Sequence, residues 1–184
     1  MACPWFRIFS EVVLVDILRT DRLQLRQAEL HDAAHLLALL NEPDFINNIG
    51  DRGVRDLTQA EVYLQQNLQQ SYQINGFGLW IVERSVDRVV MGLCGLVKRD
   101  YLQQPDVGYA LFRQYSGQGY TSEAALAVVA YARDVLGLNT LCGIVSPDNL
   151  ASKRILEKTG MRPAGQKDVP GSDKQVDFYL LDQV

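Results

Sequence analysis

A short segment at residues 114–123, QYSGQGYTSE, has the residue types of an anion-binding turn. Glycines such as Gly117 and Gly119 permit a tight turn with positive φ and leave neighbouring amide N–H groups uncovered. The helical pattern that follows adds unpaired N–H groups and the positive end of a helix dipole. Thr121 or Ser122 can cap that helix. The segment predicts a phosphate or pyrophosphate site, although an ordinary strand–helix turn could carry the same glycines for geometry alone.

The same glycines come close to the dinucleotide-binding pattern GxGxxG, since Gly117, Gly119 and Ser122 occupy its spaced positions. That pattern normally opens the first strand–helix–strand unit and is followed, about 20 residues later, by an acid that holds a ribose. Here several predicted strands and helices precede it, and residues 137–143 (GLNTLCG) contain no acid. The phosphate-binding pattern GxxxxGKS/T is absent from the sequence. A dinucleotide-binding fold is therefore disfavoured.

Histidine and cysteine offer little for metal or nucleophilic chemistry. His31 and His35 are spaced one helical turn apart, as zinc ligands would be, but the Glu of HExxH is missing and the chain has only 2 histidines. Cys94 and Cys142 lie in apolar runs, where a thiol usually behaves as a small buried hydrophobe. The third cysteine, Cys3, forms no CxxC pair with either. We predict no metal site and a reducing, cytoplasmic setting.

Hydrophobic periodicity predicts the order β-α-α-β-β-β-α-β-α-β, a mixed α/β arrangement around one core. Strands are expected at residues 21–27, 79–83, 89–97, 107–112, 140–145 and 176–181. Helices are expected at residues 31–40, from a capping-box pattern at Thr58 and Glu61 to residue 76, from the glycine turn to Gly137, and from residue 147 to Gly160. The glycine turn thus lies between a strand and a helix.

Composition excludes several classes of protein. The chain has 184 residues, of which 47% are hydrophobic, enough for one domain with a core. Its formal net charge of −4 leaves no basic surplus for general nucleic-acid binding. No apolar run reaches the roughly 20 residues of a membrane-spanning helix. Residues 1–17 are interpreted as an N-terminal extension rather than a signal peptide, because Glu11 and Asp16 interrupt the apolar run. Residues 18–184 form the predicted domain.

Two motifs resemble the GNAT N-acyltransferases. Gln114, Gly117 and Gly119 match the Q/R-x-x-G-x-G/A signature of that family. The wider segments 107–124 and 148–160 are similar to its RimJ/RimL-like branch, and the resemblance extends from residue 20 to residue 184. It implies the GNAT fold, a central, mostly antiparallel, splayed sheet with helices on both faces. It also implies an N-acetyltransferase that uses acetyl-CoA as cosubstrate.

The resemblance further implies where acetyl-CoA is held. Its pyrophosphate would lie on the amides of the glycine turn, and its pantetheine arm would pair with strand 107–112 where this strand splays from strand 140–145. Backbone N–H groups near Ala110 and Leu111 would polarise the thioester carbonyl. The residues implied in cofactor binding are Ala110, Leu111, Gln114, Gly117, Gln118, Gly119, Tyr120, Thr121, Asn149 and Ser152.

Acetyl transfer to an amine also needs a proton donor for the departing thiolate. The resemblance points to Ser152 as this donor and to Asn149 as a residue that orients the cofactor. Many relatives place a Tyr seven residues after this Asn, and some place a base Glu five residues before it. Here those positions are Leu156 and Ile144, so neither role carries over. Helix capping by Asn149 and a backbone hydrogen bond from Ser152 are the alternative interpretations.

Asp106 is the remaining candidate for the base that takes the ammonium proton, acting through water, and Glu83 on a neighbouring predicted strand is a weaker one. An exposed acid at a strand end is the alternative interpretation of Asp106. Because proximity alone can supply much of the rate, the reaction does not require a dedicated base. Tyr109 is interpreted as a packing residue, and Arg113 and Arg154 as solvated surface charges.

The implied acceptor is a primary amine, either the α-amine of a protein N-terminus or that of a small molecule. Loop 47–56, the second helix and segment 167–174 are expected to contact it. Four acidic residues in these loops either form a pocket for a cationic amine or are solvated charges: Asp51, Asp56, Asp168 and Asp173. Neither nucleic acid nor membrane is an expected partner, and the chain is expected to be a monomer or homodimer. The rival hypothesis is a non-catalytic module that binds an acyl-CoA and regulates a partner.

Overall fold

A single mixed sheet runs through residues 15–182, which are described by a computed structural model. Its strands are β1 (Asp16–Arg19), β2 (Leu23–Arg26), β3 (Leu79–Arg84), β4 (Val90–Val97), β5 (Asp106–Leu111), β6 (Thr140–Val145), β7 (Arg162–Asp168) and β8 (Gln175–Asp182). The strand order is β1-β2-β3-β4-β5-β6-β8-β7, and every neighbouring pair except β5 and β6 is antiparallel. The predicted mixed, mostly antiparallel sheet is confirmed.

Helices cover both faces of this sheet, as predicted. They are α1 (Ala33–Leu40), α2 (Pro43–Asn48), α3 (Leu57–Tyr63), α4 (Gln70–Asn75), α5 (Tyr120–Asp134) and α6 (Leu150–Lys158). Successive side chains of a strand point to opposite faces. Cys94 of β4 accordingly packs in an apolar cluster with α5 and α6, whereas its neighbour Leu93 packs in a second cluster with α1 and α3. Apolar burial on both faces therefore holds the two helical layers to the central strands.

Three observed elements were not predicted. Strand β1 crosses the proposed boundary between residues 17 and 18. Residues 1–14 of the predicted extension, including Cys3, lie outside the described residues, as do residues 183–184. Helix α2 begins at Pro43, where proline is favoured in the first turn because it has no N–H to lose. Strand β7 is exposed along its whole length, so its sequence lacks the apolar alternation that signals a strand. In residues 15–182 no helix is long and apolar enough to cross a membrane.

The second predicted helix begins earlier than its capping-box pattern indicated. Its N-cap is Asp56, whose carboxylate accepts a hydrogen bond of 2.8 Å from the backbone N–H of Gln59, so the placement of the cap at Thr58 is wrong. The helix continues from α3 through a π-helical stretch at Leu64–Gln69 into α4. It ends at Gly76, which has a φ of 75° and forms a left-handed C-cap.

We expect Asp56→Ala to lower the free energy of unfolding by about 1 kcal/mol, the usual cost of losing an N-cap. The matched variant Thr58→Ala should cost much less, because Thr58 lies inside the helix and caps no N–H. Urea denaturation of both variants checks this difference. A loss for Thr58→Ala as large as that for Asp56→Ala would contradict the assigned helix start.

Candidate active site

Strands β5 and β6 separate almost as soon as they meet. They share one registered pair, Asp106 with Cys142, and the N–H of Cys142 donates to the carbonyl of Pro105 at 2.9 Å. If the parallel ladder continued, the next N–H of β6 to face β5 would be that of Ile144. It would donate to the carbonyl of Val107. It donates instead to Oδ1 of Asp106 at 3.2 Å. The side chain of Asp106 thus takes the place of a ladder carbonyl and leaves the edge of β5 open beyond it.

The open edge of β5 presents alternate backbone groups to the gap. Phe112 donates its N–H to Met91 of β4 at 2.9 Å, and β5 pairs with β4 in regular register. Because successive N–H groups of a strand point to opposite sides, that of Leu111 faces the gap and that of Ala110 faces β4. Of the two amides expected to polarise a thioester, the register favours Leu111, and Ala110 is excluded because its N–H faces the β4 ladder.

The glycine turn has the geometry that its sequence predicts. Gly117 has a φ of 75° and Gly119 a φ of 82°, a region that other residues rarely adopt. Gly119 is the N-cap of α5, so the expectation that Thr121 or Ser122 caps this helix is wrong. Within residues 15–182 no side chain caps α5. Its first N–H groups are therefore left for another acceptor, and the helix dipole favours an anion there.

Gln114 lies in a short 3-10 turn before the glycines, and the side chain of Gln118 donates to its carbonyl at 3.0 Å. Arg22, which sequence analysis missed, lies beside the turn. Its Nη1 donates to the carbonyl of Gln118 at 3.1 Å, and its guanidinium carbon is 4.4 Å from the ring centroid of Tyr120. Arg22 is far from this segment in the sequence, so spacing within the motif gave no sign of it. The guanidinium is also paired with the carboxylate of Glu123 in the first turn of α5 at 2.6 Å, so it adds little net positive charge to the turn.

Two predicted residues meet at the start of α6. Asn149 is the N-cap, and its side-chain oxygen accepts a hydrogen bond of 3.0 Å from the N–H of Ser152. The Oγ of Ser152 lies 2.8 Å from the hydroxyl of Tyr109, which also donates to the Ser152 carbonyl at 3.0 Å. Burial raises the pKa of Tyr109 well above its usual range, so the phenol stays protonated. Tyr109, interpreted above as packing, therefore links β5 to α6 through Ser152.

Both candidate bases are buried carboxylates that form ion pairs with arginine. Asp106 is 2% exposed, and its Oδ2 is 2.7 Å from Nε of Arg99, so its interpretation as an exposed strand-end acid is wrong. Burial raises the pKa of Asp106, while Arg99 opposes that shift. Glu83 is 3% exposed and lies 2.6 Å from Nε of Arg26 and 2.8 Å from Nε of Arg88. Each carboxylate is thus committed to a guanidinium group.

Other predicted residues lie apart from the splay. Arg113 is exposed and its Nε lies 4.0 Å from Asp44. Cys94 and Cys142 are buried free thiols, as predicted, and burial raises the pKa of each to about 12. Among residues 15–182 no group of three or more His, Cys, Asp or Glu side chains could hold a metal ion.

A parallel pair of strands that splays beside an uncapped helix N-terminus defines an acyl-CoA-dependent acetyltransferase of the GNAT type. Residues 22–162 match the family described as an acetyltransferase (GNAT) domain. The uncharacterized protein YkkB of Bacillus subtilis (strain 168) is 34% identical over 147 residues, 78% of this chain and 84% of YkkB. Other relatives are named N-acetyltransferases. The chain belongs to the GNAT acetyltransferases and is an N-acetyltransferase that depends on acetyl-CoA.

Solved structures share the fold over nearly the whole chain. An acetyltransferase from Agrobacterium tumefaciens str. C58 has a TM-score of 0.76 and 25% identity, covering 90% of this chain and 94% of that one. RimL, described as a ribosomal L7/L12 alpha-N-protein acetyltransferase in complex with coenzyme A, has a TM-score of 0.75 and 18% identity, with 91% and 98% covered. These likenesses confirm the GNAT fold that the sequence motifs implied.

Proposed function

We propose that this enzyme transfers the acetyl group of acetyl-CoA directly to a primary amine, in a complex that holds both substrates and without a covalent enzyme intermediate. The observation that carries the proposal is the open edge of β5 between the glycine turn and the Tyr109–Ser152 pair. The unpaired backbone groups of β5, the glycine turn and the Tyr109–Ser152 hydroxyl pair all border the gap between β5 and β6. The buried thiols of Cys94 and Cys142 supply no exposed nucleophile for a covalent route.

The residues present fit the parts of acetyl-CoA. We assign the pyrophosphate to the first amides of α5 and to the glycine turn, where Gln114, Gly117, Gln118, Gly119, Tyr120 and Thr121 lie. The open edge of β5 offers the carbonyl of Val107 and the N–H groups of Tyr109 and Leu111 to the amides of the pantetheine arm. The N–H of Leu111 is the assigned donor to the thioester oxygen. Asn149 orients the cofactor from the start of α6.

The reaction forms a bond between the amine nitrogen and the carbonyl carbon and breaks the carbon–sulfur bond. Negative charge that develops on the carbonyl oxygen is stabilised by the N–H of Leu111. The thiolate that leaves takes a proton from the Oγ of Ser152, which is hydrogen-bonded to the Tyr109 hydroxyl, and the proton that the newly acylated nitrogen sheds returns to Ser152 through solvent. Tyr109 acts through Ser152 and is a positioning residue.

Asp106 holds the gap open rather than removing the ammonium proton. One of its oxygens accepts from Ile144 and the other pairs with Arg99, so both oxygens are engaged within the fold. The amine then reacts as its own deprotonated fraction, and the ammonium proton is released to solvent. Holding the two substrates in contact supplies the main part of the acceleration.

The acceptor class is a primary amine, as in protein N-termini or small molecules, and the similarity in fold to RimL, an alpha-N-protein acetyltransferase, supports the first of these. The buried free thiols of Cys94 and Cys142 support a reducing, cytoplasmic setting.

The first test is calorimetric titration with acetyl-CoA, with NAD as the comparison ligand, followed by assay of thiol release with a panel of amines and N-terminal peptides. We expect saturable binding of acetyl-CoA, no binding of NAD, and turnover with at least one class of amine. Absence of binding to folded protein would overturn the cofactor site. Binding without turnover across the panel would instead favour the non-catalytic, acyl-CoA-binding alternative.

A further inference from the structure

The acceptor has to approach the gap from the face of the sheet opposite to the hydroxyl pair. Tyr109 packs on the face covered by α5 and α6, and Ser152 lies on α6 itself. Ala110 and Phe112 pack on the other face, and Asp106 shares it because side chains two and four residues apart point the same way. Since the cofactor groups occupy the first face, the amine reaches the thioester from the Asp106 face.

Arg99 is a cation that lies directly beside Asp106 on this face. It reaches Asp106 through Nε alone, at 2.7 Å, and its side chain is 27% exposed. Among the residues from 15 to 182, its two terminal nitrogens have no carboxylate partner. A guanidinium group held in this way keeps two parallel N–H donors, the arrangement that binds a carboxylate in bidentate fashion. Arg99 is therefore fixed by a buried acid, and its terminal N–H groups, which also lie near the Tyr101 hydroxyl, have no second carboxylate partner among the described residues.

A second cation lies on the same face. Lys167 of β7 has its Nζ 5.1 Å from the ring of Phe178, and Phe178 pairs with Ile144 in the register of β6 and β8. Phe178 belongs to an apolar cluster with Cys142 and Ile144. Among the described residues, no helix residue is part of this cluster. The Lys167 ammonium thus lies above a sheet surface that adjoins Asp106.

The carboxylates that could oppose these cations are mostly engaged elsewhere. Asp51 pairs with Arg55 at 2.5 Å, and Asp56 caps α3. Asp168 accepts a hydrogen bond of 2.9 Å from Gln175 in the exposed β7–β8 hairpin. Three of the four acidic residues suggested for a cationic acceptor, Asp51, Asp56 and Asp168, therefore have hydrogen-bond partners of their own in the fold.

We propose that the acceptor is an amine that also carries a carboxylate, and that Arg99, assisted by Lys167, binds this carboxylate. The inference rests on the proposed acetyl transfer and names the class of its acceptor. The inference predicts that an acidic or zwitterionic amine is a better substrate than a polycationic amine. The carboxylate comes either from a free α-amino acid or from an acidic residue beside a peptide N-terminus, and these two sources share the same recognition.

The experiment compares matched acceptors in the acetyl-CoA assay. One arm uses L-phenylalanine against L-phenylalaninamide. A second uses the amidated peptides Ser-Glu-Ala-Ala and Ser-Lys-Ala-Ala, and spermidine is the polycationic reference. The amine of the amide is the weaker base and is deprotonated more often, so ionisation of the amine biases the first comparison against the inference. We expect a preference for the carboxylate-bearing member of at least one pair by about 10-fold or more in kcat/KM, chiefly through KM.

Two variants test the residues. Arg99→Gln and Lys167→Gln should each reduce the preference, whereas Arg133→Gln, the same charge change in an exposed pair with Asp134 at the far end of α5, should leave it unchanged. Lys167→Gln removes no ion pair of the described residues, so it remains informative if loss of Arg99 beside buried Asp106 prevents folding. Acetyl-CoA titration of each variant verifies an intact cofactor site.

The outcomes separate the two proposals. Equal or better use of the amide, the lysine peptide and spermidine would overturn the carboxylate inference and leave acetyl transfer standing. A preference that survives both Arg99→Gln and Lys167→Gln would overturn the assignment to these residues. Acetyl-CoA binding with no transfer to any amine would overturn the proposed function, and the inference would fall with it.

Discussion

Gly119→Val is expected to abolish acetyl-CoA binding while the protein remains folded. Gly119 has a φ of 82° and is the N-cap of α5, so a β-branched residue there is strained whatever space surrounds it. Relief of the strain rotates the peptide groups that present the first amides of α5. A β-carbon would also stand 3.4 Å from a terminal nitrogen of Arg22. We expect a loss of affinity of at least about 100-fold, equivalent to about 2.7 kcal/mol, in calorimetric titration.

The matched control is Gly137→Val, at the other end of α5. Gly137 has a φ of 64°, and a β-carbon there meets nothing within 4 Å. Both variants therefore carry backbone strain of about 1–3 kcal/mol and should be destabilised to a similar degree in urea. Only Gly119→Val displaces the amides that we assign to the pyrophosphate, so only it should lose acetyl-CoA binding. Tight binding by folded Gly119→Val would show that the pyrophosphate lies elsewhere.

The local parts of this site were predictable because each is encoded in a few adjacent residues. Gly117, Gly119 and Gly137 all have the positive φ that their positions at turns and helix ends demand. The capping of α6 by Asn149 followed in the same way from its position before the helical pattern. The N-cap of α3 was misplaced because Asp56 and Thr58 both suit a cap, and burial of Ala60 and Leu64 against α1 decides the rotation of the helix.

The N-cap of α5, which is Gly119 and not Thr121 or Ser122, was also misplaced locally, and the other parts that failed depend on residues distant in the sequence. The pairing of Tyr109 with Ser152 joins residues 43 apart, and the hydrogen bond from Ile144 to Asp106 joins residues 38 apart. Nothing in the spacing around Asp106 distinguishes an exposed acid from a buried one, because its burial is created by Arg99 and by β6. Strand β7 has no apolar alternation of its own and forms by pairing with β8.

Ser152→Ala is expected to lower kcat by about 100-fold with little change in acetyl-CoA affinity, since a positioned proton donor contributes on the order of 10²–10⁴. Ser152 Oγ lies 2.8 Å from the Tyr109 hydroxyl, so Tyr109→Phe removes the group that can donate to it, and we expect a loss in kcat of about 10-fold.

Because burial raises the pKa of Tyr109, the phenol remains protonated in alkaline assays, and wild-type kcat should show no decline at about pH 10, the usual tyrosine pKa.

The double variant decides whether the two hydroxyls act as one unit. If Tyr109 works through Ser152, Ser152→Ala combined with Tyr109→Phe should be no slower than Ser152→Ala alone, because residues that act together are non-additive. Tyr179→Phe is the control, as its hydroxyl makes only a 3.5 Å contact with Glu157 and should leave kcat unchanged. Multiplied losses in the double variant would show that the Tyr109 hydroxyl acts independently of the Ser152 Oγ. An unchanged kcat in Ser152→Ala would remove Ser152 from the proton transfer, and the thiolate would then leave unassisted from a site that catalyses by alignment alone.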